Sequence, residues 1–176
     1  MSSMDDEERR KRFLEAMSRG STFVTVITTD GEAGRFGVTV SSMTSVAADG
    51  FAPSILACIH HKSPAASAIL TNKFFCANIL HEGQQNISDV FSGRNKDEHA
   101  RRFNDINWTA GQDGQPIIAG ATANFECVLR TSLLWETHHI MIGHVLAVHL
   151  NDDPQALLYG QRGYRKAVVI PGTSGT

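Results

Sequence analysis

The sequence predicts a mainly β fold with peripheral helices, in which an antiparallel sheet closes wholly or partly into a barrel. Three observations predict it. At least six segments rich in β-branched and apolar residues follow one another through short turns, with few intervening helices. Such a run of strands has free edges unless the sheet closes on itself. The chain has 176 residues, 41% of them hydrophobic, enough for one compact domain with a real core and too few for a second full domain. Residues 1–176 are therefore read as a single domain, with residues 1–11 and 171–176 expected to be flexible ends.

The elements follow in order. Ser3 and Asp6 form a capping-box pattern, Phe13, Leu14 and Met17 make a helical stripe, and Gly20 stops it. "STFVTVITT" is a strand ending at Asp30-Gly31, a hairpin turn signal. "RFGVTVSSMTSVAA" is a second, longer and bent strand, "DGFAPS" a turn and "SILACIH" a third strand. Ser63 caps a short helix that opens with Pro64, and "KFFCANIL" is a fourth strand. Residues 84–104 read as helical turns around the polar loop "SGRNK", and 107–119, with Gly and Pro, as a loop. "ATANFECVLRTSLLW" and "HHIMIGHVLAVHL" are long strands joined near Glu136-Thr137. A last strand pair turns near Gln161 to Gly163.

Composition excludes several function classes. A net charge of -2 offers no basic field to a nucleic-acid backbone. No apolar run approaches the length of a membrane helix, and the charged start "MSSMDDEERRKR" has no apolar segment behind it. A cytoplasmic protein with no membrane or nucleic-acid partner is the expectation. The three cysteines, Cys58, Cys76 and Cys127, are widely spaced in apolar segments and read as buried reduced thiols. No Gly-rich phosphate loop of the Rossmann or P-loop type is present.

Two segments carry chemistry. In "FGVTVSSMTSV" the hydroxyls of Thr39, Ser41, Ser42, Thr44 and Ser45 interrupt an apolar strand. They fit an exposed strand face, or a ligand with many donors and acceptors, and a kink near Ser41-Ser42 turns both faces to one site. In "CIHHKSPAA" a strand end meets a helix start, where a Ser hydroxyl, Lys62 and the two histidines His60 and His61 surround free N–H groups: an anion site suited to phosphate, or, for the histidines, a surface loop. A zinc site at Cys58, His60 and His61 lacks a second ligand pair at metal spacing, so no metal is expected.

Taken in order, "GVTVSSMTSV", "SILACI…KS", "KFFCANIL", "FSGR…RF", "PIIAGATANFEC", "HHIMIGHV" and "LLYGQRGYR" resemble the flavin reductase-like family across residues 12–167. These are split β-barrel proteins of the FMN-binding type, the small NAD(P)H:flavin reductase components of two-component monooxygenases. The resemblance implies that Thr39, Val40, Ser41, Ser42, Thr44 and Ser45 line the flavin through hydroxyls and backbone. It implies a phosphate at the segment holding Cys58, His60, Lys62 and Ser63. Asn78 is implied as an outer polar contact, with a structural role the alternative, and Ser92 and Arg94 as a loop near the phosphate or adenylate end. The family carries Gly-Asp-His before its nicotinamide strand. Here the tripeptide is Glu136-Thr137-His138, with Gly143 in register, so His138 matches the family histidine while Gly-Asp is replaced. Tyr164 and Arg165 are expected to close the pocket or touch the dinucleotide.

The implied activity is hydride transfer from nicotinamide to FAD or FMN, with His138 orienting the nicotinamide and no protein nucleophile required. NADH is expected, with NADPH possible, since no Arg cluster for a 2′-phosphate stands out. Reduced flavin is expected to pass to a separate oxygenase, in aromatic-compound degradation, from a homodimer. Two alternatives share the barrel. One is a pyridoxamine phosphate oxidase-like or deazaflavin-type enzyme. The other is a non-enzymatic flavin- or haem-binding protein.

Overall fold

A computed structural model describes residues 5–93 and 101–172. Helix α1, Asp6–Arg19, starts where Asp5 accepts the Glu8 N–H at 2.7 Å. The expected cap at Ser3 lies outside the described residues; the Asp5/Glu8 pair sets the start. Acidic residues fill the first turn and Arg19 the last, as the helix dipole favours. Residues 6–11, expected to belong to a flexible end, are thus helical. None of the helix is buried, and its apolar stripe of Phe13, Leu14 and Met17 stays exposed.

The strands follow: β1 (Thr22–Phe23), β2 (Thr25–Thr29), β3 (Phe36–Val40), β4 (Thr44–Ala47) and β5 (Ser54–His60). Helix α2 (Pro64–Asn72), β6 (Phe74–Ile79) and α3 (Gln85–Phe91) come next, then a 3-10 turn at Arg101–Phe103. β7 (Trp108–Ala110), β8 (Pro116–Ile118), β9 (Ala123–Trp135), β10 (His138–Leu150), β11 (Leu157–Gly160) and β12 (Gly163–Lys166) complete the fold. The stretch 107–119, expected to be a loop, holds the β7–β8 hairpin, because its Gly and Pro residues fall between and beside two short pairing runs.

The main sheet has seven antiparallel strands in the order β3-β2-β6-β9-β10-β5-β4. Its two edge strands are consecutive in the chain, joined by Ser41–Met43 alone. Flat, seven strands would hold their edges roughly 29 Å apart. Four Cα steps from Val40 to Thr44 reach at most about 14 Å. The sheet must therefore curl until its edges meet, which makes it an antiparallel split barrel. At the seam, Ser42 ties this link to β5: its Oγ donates to Cys58 O at 3.0 Å and accepts the Cys58 N–H at 3.1 Å. The long bent strand expected from Phe36 to Ala47 is thus two strands on opposite edges, and the faces expected from its alternation do not carry past Val40.

Inside the curl lie Ile27, Ile55, Ile59, Ile69, Phe75 and Met141, with Met43 anchoring the edge-to-edge link. A second cluster, including Val26, Leu80, Phe91, Phe103 and Leu157, packs outside the sheet. β2 lies between the two, so all five of its residues are buried. Asn78 sits at the centre and is fully buried. Its Nδ2 donates to Val26 O at 2.9 Å and Thr28 Oγ1 at 3.0 Å. Its Oδ1 accepts the Ile118 N–H at 2.9 Å and Asn124 Nδ2 at 2.8 Å. Asn78 ties β6 to β2, β8 and β9. Its polar atoms are consumed inside the fold, which is the structural role left open for it beside an outer polar contact to the site.

β9 and β10 form a long hairpin through Glu136-Thr137, with Glu136 at φ 50. β10 pairs on its other side with β5, which sets His138 directly opposite His60. The β11–β12 turn places Gln161 and Arg162 at φ 48 and 63, the primed geometry that suits twisted hairpins. No helix among the described residues is long and apolar enough to cross a membrane.

Candidate active site

Two adjoining hollows open where the barrel seam meets the end of β5. The first, about 310 Å³, is bordered by Thr39, Ser41, Cys58, His60, Ser63 and His138. The second, about 230 Å³, is bordered by Val24, Ser88, Ser92, Tyr159 and Tyr164. They share Thr39, Val40 and Ser41. The volumes are in the range of small-molecule sites when taken together.

The hydroxyls of the 39–45 stretch divide by role. Thr39 Oγ1 donates to Ser88 O at 2.8 Å, fixing α3 to β3. Ser42 ties the seam to β5. Ser41 is exposed and borders both hollows, and the Val40 backbone lies beside it. Thr44 and Ser45 are on β4, exposed, and border neither hollow. They were expected at the ligand. The interruption between β3 and β4 at Ser41–Met43 carries them past the seam to the far edge instead.

The strand stop and helix start of the expected anion site are where the sequence suggests. β5 stops at His60, and Ser63 takes the N-cap position of α2 in extended geometry, with Pro64 behind it. The Ser63 hydroxyl makes no cap hydrogen bond, and no acidic residue lies in the first helical turn. Ser63 borders the first hollow, and Lys62 beside it is exposed. An uncommitted hydroxyl, a helix N-terminus and a lysine are a donor set that fits a phosphate-bearing ligand. Cys58 is half-buried against the same hollow, its backbone held by Ser42.

His138 opens β10, with Nδ1 2.9 Å from Thr137 Oγ1. The ring of His60 stands 5.0 Å away at 75°. The neighbouring His61 N–H donates to Thr137 O at 2.9 Å, which holds the β5 end to the β9–β10 turn. Among the described residues, no group of three or more His, Cys, Asp or Glu side chains is placed to hold a metal ion.

Tyr164 walls the second hollow, its hydroxyl 2.9 Å from Ser88 Oγ and 2.7 Å from Asp89 Oδ1. Ser92 borders the same hollow while donating to Asp89 O at 2.8 Å. Arg94 lies outside the described residues. Arg165 departs from expectation. Strand alternation turns it away from Tyr164, and it bonds Gly160 O at 3.1 Å and Gln161 Oε1 at 2.5 Å in its own turn. Sequence reasoning missed Ser88 and Tyr159. Neither has a local signal, because each acquires its place through partners far along the chain.

The flavin reductase like domain family matches residues 17–167. An FMN reductase (NADH) named RutF, from Stutzerimonas stutzeri, is 36% identical over 155 residues, covering 88% of this chain and 87% of its own. Nitrilotriacetate monooxygenase component B from Mycobacterium thermoresistibile superposes with a TM-score of 0.86 at 28% identity, over 98% of this chain and 94% of that one. BorF, the flavin reductase component of a bacterial two-component tryptophan halogenase, gives 0.80 at 29% identity, over 92% and 98%. Family match, sequence identity and superposition agree, and the chain belongs to the flavin reductase like family.

Proposed function

We propose that this flavin reductase oxidises NADH, reduces FMN or FAD bound in the two hollows, and releases the reduced flavin to a separate oxygenase. The observation that carries the reading is the first hollow, where the donor set at the α2 start and the His138 ring face one space. The RutF relatives' names support NADH and FMN, and the monooxygenase and halogenase components support delivery to an oxygenase.

When bound, the flavin supplies the acceptor for a hydride from the nicotinamide. The chain supplies position and charge. Ser63 and the first-turn amides of α2 receive the phosphate, with Lys62 as a point charge. Ser41 and the backbone at 39–42 offer hydrogen bonds to the polar ring edge where negative charge grows. His138, on the border of the first hollow, would hydrogen-bond the nicotinamide carboxamide and so orient the hydride donor. Tyr164, tied to α3, closes the far end.

A second copy of the chain is part of this reading. Phe51, Trp135, Leu146, Val148 and Leu150 are exposed on β10 and the segments beside it, more apolar surface than a lone barrel needs to show.

The test is oxidation of NADH by the purified chain with FMN, with FAD and with no flavin. Turnover that requires added flavin supports a reductase, and the better flavin identifies the substrate. Flavin binding without turnover on NADH or NADPH would overturn it in favour of an oxidase-like or binding role. His138→Ala should raise KM for NADH more than it changes flavin affinity.

A further inference from the structure

The two histidines at the strand ends are not equivalent. The β5–β10 register sets them opposite each other, and their rings meet edge to face at 5.0 Å. His60 Nδ1 lies 3.1 Å from the Lys62 backbone N. A backbone N–H can only donate, so this nitrogen must be the unprotonated acceptor, and the neutral ring carries its proton on Nε2. A third ring, His61, stands 4.8 Å from His60 on the turn.

We propose that His60 is a positioning residue: its neutral ring, held by the Lys62 N–H, sets the orientation of the His138 ring. The proposal rests on the reading of His138 as the nicotinamide contact and adds a residue that acts through it.

The surroundings favour the neutral form. The titratable groups facing His60 are His61 and Lys62 from the β5–α2 turn and His138 from β10. Desolvation at the rim of the hollow, then these three groups, lowers its pKa below the ordinary histidine value. Protonation puts a hydrogen on Nδ1, where the Lys62 N–H already points. The bond is lost, the ring turns out, and His138 loses the edge that steadied it. Acid should therefore weaken NADH binding through His60.

The experiment pairs two measurements on the whole chain. Nitrogen-15 NMR of the imidazoles reads the His60 tautomer directly; an Nε2–H ring is expected, and an Nδ1–H ring would overturn the proposal. Steady-state kinetics then compare wild type, His60→Ala and His60→Phe across pH. His60→Ala should raise KM for NADH by about threefold to tenfold, the size of one edge-to-face ring contact. His60→Phe keeps a ring but offers the Lys62 N–H no acceptor and cannot titrate. It should raise KM as His60→Ala does and lack the His60 share of the rise in acid. A Phe variant with the wild-type KM, or with the wild-type acid rise, sinks the proposal. If His138→Ala leaves KM unchanged, the placement of the nicotinamide fails and the proposal with it. If His138→Ala raises KM while His60→Ala does not, only the proposal fails.

Discussion

Ser42→Ala tests the seam that makes the sheet a barrel. The hydroxyl donates to Cys58 O at 3.0 Å and accepts the Cys58 N–H at 3.1 Å, so its removal deletes two hydrogen bonds. Each is worth about 0.5–1.5 kcal/mol net, and both backbone partners are left in a half-buried place, so about 2 kcal/mol should be lost. For a chain of this size, about 2–4 °C of Tm follows each kcal/mol, which predicts a fall of about 4–8 °C. Circular dichroism in the strand band, followed on heating, measures it, and a urea titration should show a lower midpoint at unchanged slope. A Tm shift below about 1 °C together with lost flavin affinity would refute the reasoning, since the hydroxyl would then serve the ligand and not the fold.

Two further predictions concern the core. Gly143 sits where a Cβ would lie 2.5 Å from Phe75 Cζ and 3.1 Å from Cys127 Cβ. Phe75 is itself buried, so Gly143→Ala should cost about 1–3 kcal/mol by overpacking, read from the urea midpoint; an unchanged midpoint would mean the ring moves freely aside. Burial raises the pKa of Cys76, and burial followed by the Glu126 charge pushes Cys127 up to about 12. At pH 8 the Cys127 thiolate is then about one part in ten thousand. A thiol reagent should titrate Cys58 alone in the folded chain and all three cysteines after unfolding; a second fast thiol in the folded protein would contradict the burial.

Local pattern made several elements legible. "SILACIH" and "HHIMIGHVLAVHL" run as strands over the residues read from them, because β-branched density and flanking turns are contained in the segments themselves. Ser63-Pro64 opens α2 for the same reason: a cap and a fixed φ act within a few residues. The site was partly legible on this ground, since its anion end is a strand stop followed by a helix start. Where the reading failed or stayed open, the deciding partner was remote. Asn78 looked like a polar residue at a strand end, and only packing against Thr28, Ile118 and Asn124 spends its amide in the core. Arg165 neighbours Tyr164 in sequence, yet the pleat sends the two to opposite faces.

By itself, then, the sequence determined the mainly β class, most strands, the helix start at Ser63-Pro64 and the hydroxyl-rich run that precedes it. All of these follow from periods and caps a few residues long. Tertiary structure alone decided that this run breaks at Ser41–Met43, that Ser42 ties the seam to β5, and that His60 meets His138. Those outcomes depend on sheet curvature and on register between strands far apart in the chain. No window of sequence contains them, because the hydrogen bonds that fix them form only once the edges of the sheet have met.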